Sequence, residues 1–346
     1  MFLKNAWYVA AWSSEITTDL KQVIVLGEKI CMYRDQAGKI VALEDACPHR
    51  KLPLSMGRIA GGNVECGYHG LTFDCSGACV AAPGKGRIPS NAVVHSYPVE
   101  ESYELIWIWM GDPELADTSE IFKIENYDNA DWGINRGAAM EIKCNYKLMT
   151  DNLLDPTHVA WVHQTSFAQD AARDTPLTLS KNDDGVVVHR WMMDVEPAPF
   201  YKHIVQFEGN ADRLQKYEVR YPCHALIRSI FTPAGTGGSE DALHKDAFVM
   251  DSYNFMTPTT EDETRYYWFQ LRNIRADDDE LSARMSDAVK GVFEEDIVIL
   301  EAVQTGLSEE RNPHIDLSID GGPLRFRREL EALIVAEQQS GAAAEA

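Results

Sequence analysis

The sequence predicts an α+β protein in two parts: an all-β region over residues 1–115, then a larger domain over 116–346 in which a mostly antiparallel sheet is packed by helices. Three observations carry this. Short β-type runs separated by turns fill the chain to residue 110; Gly111-Asp112-Pro113 closes them before a polar connection; and two helical stretches, 146–163 and 279–306, flank a series of strand candidates. A chain of 346 residues is long enough for one small and one large domain.

In order, the first strands are expected at 22–26, 30–34, 40–44, 93–99 and 105–110. Asp35-Gln36-Ala37-Gly38, Gly61-Gly62-Asn63 and Ser76-Gly77 supply turns. Regularly spaced strands with little helix argue for a small sandwich or barrel. Further strands are expected at 186–193, 204–208, 216–221, 225–231, 248–255 and 264–272. Residues 233–246, rich in Gly and polar side chains, read as a mobile loop, and the Ala/Ser/Glu-rich tail 338–346 as frayed.

Composition is globular, with 45% apolar and 25% charged residues. The net charge of −22 makes a nucleic-acid or anionic-membrane partner repulsive. No apolar run approaches the ~20 residues that span a bilayer. The apolar stretch 6–12 is rich in bulky aromatics and leads into strand-like sequence, so it reads as a first strand rather than a leader. A cytoplasmic protein is expected. Seven cysteines (31, 47, 66, 75, 79, 144 and 223) are odd in number and scattered, unlike a secreted disulfide framework.

Cys47-Pro48-His49 and Cys66-Gly67-Tyr68-His69 form a C-x-H…C-x-x-H pattern with sixteen residues between the halves. Each half offers one thiolate and one imidazole on a turn-rich loop. Two such loops can hold a [2Fe–2S] cluster, thiolates on one iron and imidazoles on the other. A structural Cys2His2 zinc site uses the same ligand types, although zinc motifs more often group like with like.

The run Asn152-Leu153-Leu154-Asp155-Pro156-Thr157-His158-(x4)-His163 carries the second constellation. Histidines at i and i+5 diverge by about 140° on a regular helix. For both to reach one ion the helix must end or kink between them, and Pro156 permits a break. The bland reading is that Asp155 caps a helix and the histidines are ordinary. Downstream, an apolar stripe runs through Leu281, Met285, Ala288, Val289, Val292, Phe293, Ile299, Leu300 and Val303, and Asp296 falls on it. A carboxylate facing a core needs a cation or a metal beside it. Two histidines plus one carboxylate make the facial triad of non-haem Fe(II) oxygenases; a salt bridge to a buried arginine is the alternative for Asp296.

Cys47-Pro48-His49-Arg50 and Cys66-Gly67-Tyr68-His69-Gly70 resemble the two cluster-binding boxes of the Rieske domain. The N-x-x-D-x-x-H-x4-H box from Asn152 to His163, with Phe293-Glu294-Glu295-Asp296, is similar to the iron-binding boxes of Rieske non-haem iron oxygenases. The likeness spans nearly the whole chain. It implies a helix-grip catalytic domain, a [2Fe–2S] cluster held by Cys47, His49, Cys66 and His69, and a mononuclear Fe(II) held by His158, His163 and Asp296. It further implies Asp155 as a carboxylate bridging Rieske His69 to His158, and Asn152 close to the metal. In that family the bridge crosses between subunits of a homotrimer. The remaining cysteines have no place in the pattern and read as structural thiols.

The opening Met1–Trp12 and the run Trp107-Ile108-Trp109-Met110-Gly111-Asp112-Pro113 look most like the vanillate O-demethylase and toluenesulfonate methyl-monooxygenase oxygenases. That resemblance implies O2-dependent hydroxylation of a methyl or methoxy carbon on a small aromatic acid. Electrons would come from a separate NAD(P)H-dependent reductase with flavin and a plant-type [2Fe–2S] centre, since no G-x-G-x-x-G fingerprint is present here. His203, Arg220, Arg228 and Asn254 are candidates to meet the substrate anion, and Tyr266, Tyr267 and Trp268 to line walls. Each reads more readily as structural, because strand register is unknown. The competing functions are a Rieske electron-transfer or small-molecule-sensing protein without catalytic iron, and a zinc-stabilised binding module.

Overall fold

Ten short strands form where β-branched and aromatic residues alternate with turn residues in the first part of the chain. They are β1 (Trp7–Trp12), β2 (Lys21–Val25), β3 (Glu28–Arg34), β4 (Ile40–Glu44), β5 (Arg58–Ala60), β6 (Asn63–Glu65), β7 (Thr72–Phe73), β8 (Cys79–Ala81), β9 (Val99–Ser102) and β10 (Leu105–Trp109). The computed structural model describes residues 1–84, 87–205, 207–309 and 314–344, the last four as backbone only. Three antiparallel sheets result, in the orders β1-β10-β9, β2-β3-β4 and β5-β6-β7-β8. The expected turns set their registers. Asp35 Oδ1 accepts the backbone N–H groups of Ala37 and Lys39 at 2.8 and 2.9 Å between β3 and β4. Gly61 and Gly62, both at positive φ, make the two-residue loop that pairs Ala60 with Asn63.

The second part begins with β11 (Gly133–Arg136) and β12 (Met140–Ile142), then three short helices, α1 (Tyr146–Asn152), α2 (Val159–Val162) and α3 (Ala171–Asp174). The strands β13 (Thr178–Asn182), β14 (Gly185–Val195), β15 (Ala211–Arg220), β16 (His224–Pro233), β17 (Phe248–Pro258) and β18 (Thr264–Arg272) follow. The long helices α4 (Asp279–Ser308) and α5 (Gly321–Ala344) close the chain. One eight-stranded sheet runs β11-β18-β17-β16-β15-β14-β13, with β12 also on β18. The chain gathers into two compact units: Met1–Lys123 with Thr257–Glu261 and Glu337–Ala346, and Ile124–Met256 with Asp262–Ala336. The all-β first part and the antiparallel sheet with helices are as the sequence predicts. Among the described residues no helix is long and apolar enough to cross a membrane.

Helix α4 starts where Asp278 accepts the N–H of Leu281 at 2.7 Å. It buries Leu281, Met285, Val289, Val292, Phe293 and Leu300. At about 1.5–3 kcal/mol each, these side chains offset the cost of burying Asp296 beside them. The stripe is narrower than the sequence predicts: Ala288, Ile299 and Val303 are exposed, the last two at 45% and 42%.

Other expectations fail locally. Residues 204–208 form no strand; 201–204 are a turn, and 206 lies outside the described residues. The alternation Ile-Val-Gln-Phe-Glu mimics a strand while Ile204 serves an aromatic cluster with Tyr201 and Phe248. Of 93–99, only Val99 joins a strand; Val93 and Ser96 make isolated bridges to Ala78 and Leu43. The tail is not frayed up to residue 344, because its alanines extend α5; residues 345 and 346 lie outside the described residues. The loop after β16 is fastened by the Gly237 N–H to Asp212 at 2.8 Å and by Lys216 to Glu240 at 2.9 Å.

Candidate metal centres

The first centre is built from two loops of one design. The Cys47 N–H donates to the Leu52 carbonyl at 2.9 Å and the Lys51 N–H returns to the Cys47 carbonyl at 2.7 Å. Nineteen residues on, the Cys66 N–H donates to Leu71 at 2.8 Å and the Gly70 N–H returns to Cys66 at 3.0 Å. Lys51 and Gly70, at the matching position, both take positive φ, 58° and 76°. Each loop thus closes a turn that presents its cysteine inward and its histidine outward. Cys47 and Cys66 are each 2% exposed, within a core that includes Cys31, Leu43, Leu54 and Phe73. His49 is exposed and His69 half-buried, and their rings lie 4.6 Å apart.

Sulfur therefore pairs with sulfur and ring with ring. A tetrahedral zinc ion would draw all four donors to within about 4 Å of one another. Among the described residues, the one set of three His, Cys, Asp or Glu donors within 4.8 Å belongs to the second centre. Separate thiol and imidazole pairs fit a two-iron cluster instead. Burial pushes the Cys47 thiol up, against the backbone N–H groups of His49 and Arg50 that meet its sulfur, and Cys66 adds to the push. Partial burial, with His49 and Arg50 nearby, pulls His69 below the ordinary imidazole value, which favours the neutral, ligating form.

The second centre depends on a helix that stops. The Asn145 side chain caps α1 by accepting the Lys147 N–H at 2.9 Å, and α1 ends at Asn152. Residues 153–158 turn, the four-residue α2 follows, and His163 closes it. The continuous helix expected over 146–163 is thus interrupted between the two histidines, as metal binding by both requires. Their rings stand 5.3 Å apart at 77°. Asp296 Oδ1 lies 3.2 Å from His163 Nε2 and 3.7 Å from His158 Nε2, and accepts from Asn152 Nδ2 at 3.3 Å.

Both rings are held from behind. His158 Nδ1 donates to the main-chain carbonyl of Asp155, and His163 Nδ1 to Glu295 Oε2 at 2.7 Å. Both Nε2 atoms are thereby turned toward Asp296. Burial lowers His158, more than the carboxylates of Asp296 and Asp155 raise it. For His163 burial also pulls downward, but Asp296 and Glu295 outweigh it and its value is raised. The Asp155 carboxylate spends Oδ1 on the Thr157 N–H and hydroxyl, and among the described residues Oδ2 has no hydrogen-bond partner. Two imidazole nitrogens and one carboxylate oxygen, gathered on one side, suit Fe(II) with positions left open.

The triad lines a cavity between the sheet and α4. Its walls include Phe167, Tyr201, Arg213, Ile227, Met250 and Phe293. The substrate candidates named from the sequence are not on it. Arg228 is held by both oxygens of Asp251 at 2.7 Å, Arg220 pairs with Glu218 at 2.5 Å, Asn254 accepts from the Tyr266 hydroxyl at 2.6 Å, and His203 is exposed. Sequence reasoning missed Glu295 and Arg213. Glu295 has no role until the His163 ring reaches it, and β15 is buried on both faces, so alternation carries no sign of where Arg213 points.

Residues 6–98 match the Rieske [2Fe-2S] domain family, and residues 142–336 the vanillate O-demethylase oxygenase C-terminal domain family. The chain is 38% identical to the toluene-4-sulfonate monooxygenase system iron-sulfur subunit of Comamonas testosteroni, over 97% of this chain and 98% of that one. It is 36% identical to the vanillate O-demethylase oxygenase subunit of a Pseudomonas species, over 99% and 98%. The crystal structure of dicamba monooxygenase bound to dicamba superposes with a TM-score of 0.86 at 30% identity, covering 98% of this chain and 99% of that one.

Proposed function

The chain belongs to the Rieske oxygenases whose catalytic half is the vanillate O-demethylase oxygenase C-terminal domain, and from that membership we propose how its residues share the work. It is the terminal oxygenase component of a monooxygenase system, with a Rieske [2Fe–2S] cluster, a mononuclear iron and a partner that supplies electrons. We assign the Rieske domain to residues 1–115 and the catalytic domain to 116–346. Cys47 and Cys66 would hold one cluster iron and His49 and His69 the other. His158, His163 and Asp296 would hold the mononuclear iron, with Asn152 steadying Asp296.

The metals supply dioxygen activation with electrons passed from cluster to iron. The protein's part is to bind, orient and exclude water. The substrate we propose is an aromatic acid bearing a methyl or methoxy group, the class named in the relatives' toluene-4-sulfonate and vanillate. One oxygen atom enters a C–H bond and the other leaves as water, with two electrons and two protons taken up. A methyl group becomes an alcohol; a methoxy group becomes a hemiacetal that breaks into a phenol and formaldehyde. Electrons would come from NAD(P)H through a reductase carrying flavin and a plant-type [2Fe–2S] centre.

We place the working unit as a homotrimer in which Asp155 links His158 to His69 of the partner subunit. The half-exposed Asp155 carboxylate, with Oδ2 open, and the accessible imidazole side of the cluster support this. A cytoplasmic location agrees with seven free cysteines. The observation that carries the oxygenase reading is the His158–His163–Asp296 triad at the cavity wall. An electron-transfer or sensing protein has no use for it. Oxygen uptake with a reductase, NADH and a panel of methyl- and methoxy-substituted benzoates and benzenesulfonates tests the reading. Substrate-dependent uptake is expected, formaldehyde marking demethylation; no uptake with any aromatic acid, in protein holding both centres, would refute it.

A further inference from the structure

We propose that Arg213 is the receptor for the anionic group of the substrate, an assignment that rests on the oxygenase reading above and names the element of selectivity within the same cavity. Arg213 is 2% exposed. Its Nη1 donates to the Gln169 side-chain oxygen and, at 3.4 Å, to the Phe167 carbonyl, both neutral acceptors. Its Nε is buried with no hydrogen-bond partner, and no carboxylate among the described residues pairs with it. Its guanidinium lies 5.2 Å from the Tyr201 ring and 5.0 Å from the Phe231 ring, which offsets part of the burial cost. A buried guanidinium without a counter-charge is costly, and an anionic ligand would remove that cost.

Half-buried Arg228 and the other two buried arginines are accounted for differently. Arg228 has Asp251. Arg190 is saturated by Gln215 and the carbonyls of Pro156, Ala172 and Thr175. Arg272 also keeps nitrogens without partners, but it packs over Gly133 and is not on the cavity wall. Arg213 is the one arginine or lysine lining the cavity among the described residues.

Register places it to act there. Arg213 pairs with Phe231, Gln215 with Ser229 and Tyr217 with Ile227, so Arg213 and Tyr217 share a sheet face with Ile227 and Ser229. The triad lines the same cavity. Apolar Phe167, Ile227, Met250, Val292 and Phe293 are suited to hold an aryl ring between the cation and the iron ligands. A guanidinium fork matches a carboxylate or a sulfonate with two parallel hydrogen bonds. In a chain of net charge −22, this cation is what makes the cavity hospitable to an anion.

The test is calorimetric binding to anaerobic holoenzyme of two matched pairs: vanillate against its primary amide, and toluene-4-sulfonate against toluene-4-sulfonamide. The wild type should favour at least one anion over its neutral partner by about 10- to 100-fold, and which pair shows it separates carboxylate from sulfonate. Arg213→Gln should erase the preference, and Arg213→Lys should restore part of it. A wild type with no preference, or a preference that survives in Arg213→Gln, overturns the assignment. If Arg213→Gln does not fold, the wild-type ratio and the Arg213→Lys ratio still decide. Iron content and cluster absorbance, measured on the same samples, report separately on the oxygenase reading.

Discussion

His163 is gripped at both edges by consecutive residues of one helix: Glu295 Oε2 lies 2.7 Å from its Nδ1, and Asp296 Oδ1 lies 3.2 Å from its Nε2. An ionised carboxylate only accepts, so Nδ1 carries the hydrogen toward Glu295, and Nε2 is the nitrogen that would ligate a metal. Loss of such a support typically weakens metal affinity about 10- to 100-fold. Glu295→Ala should therefore release iron that much more readily to a chelator, and Glu295→Gln, whose amide oxygen accepts the same bond, should recover most of the loss. Cluster absorbance, unchanged in both, is the internal control. Iron held by Glu295→Ala as tightly as by the wild type would show that Glu295 is only a surface acid.

Asp155 touches His158 through its main-chain carbonyl, which leaves Oδ2 of its carboxylate for a second task. Asp155→Asn keeps the carbonyl and an oxygen for the Thr157 N–H. It should leave both metals bound while slowing turnover severely, roughly 100-fold or more by loss of a charged hydrogen-bond link. Single-turnover kinetics of cluster reoxidation should show the delay directly. Turnover at the wild-type rate would remove the bridging role.

Arg190 holds the turn that separates the two histidines, donating from Nη2 to the Pro156 carbonyl at 3.1 Å and from Nε to Gln215 at 2.8 Å. Arg190→Met strands buried carbonyls at Pro156 and Ala172, at a cost of about 3 kcal/mol. Urea unfolding should register that loss, and iron retention should fall with it. Stability within about 0.5 kcal/mol of the wild type, the range of ordinary surface substitutions, would mean the turn stands without Arg190.

Glu329 on α5 meets Lys181 at 3.1 Å, Arg325 at 3.0 Å and the Tyr221 hydroxyl at 2.9 Å. The bond to Lys181 above all, against a smaller effect of burial, with Tyr221 and Arg325 adding, holds its carboxyl down at about 2. The folded value is below the unfolded one. Its stabilisation is therefore fully present above the usual glutamate range and is lost as pH falls toward 2. Glu329→Gln should cost about 1 kcal/mol at pH 7, after allowance for solvent screening. The gap to wild type in urea unfolding should narrow at pH 3. A gap that widens in acid would contradict the assignment.

The parts of the molecule legible in its sequence are those where residue type and spacing narrow the chemistry and a family likeness completes it. Cys47-x-His49 with Cys66-x-x-His69, and His158 and His163 with Asp296 on an apolar stripe, need no knowledge of register. Strand β18 (Thr264–Arg272) was legible for a similar reason, since aromatic and β-branched residues fill it between turns. What register and tertiary packing decide was not. Arg213 sits in a strand buried on both faces, Glu295 gains meaning only from the ring that reaches it, and Ile299 and Val303 lie beside the buried face that Leu300 still occupies.

The most direct test counts metal in His158→Ala against the wild type, with electron paramagnetic resonance of the dithionite-reduced protein. The account predicts three irons per wild-type chain, and two in His158→Ala with brown colour and the low average g-value of a Rieske centre retained. Colourless protein holding only zinc, or a cluster signal that disappears together with the mononuclear iron, would contradict it.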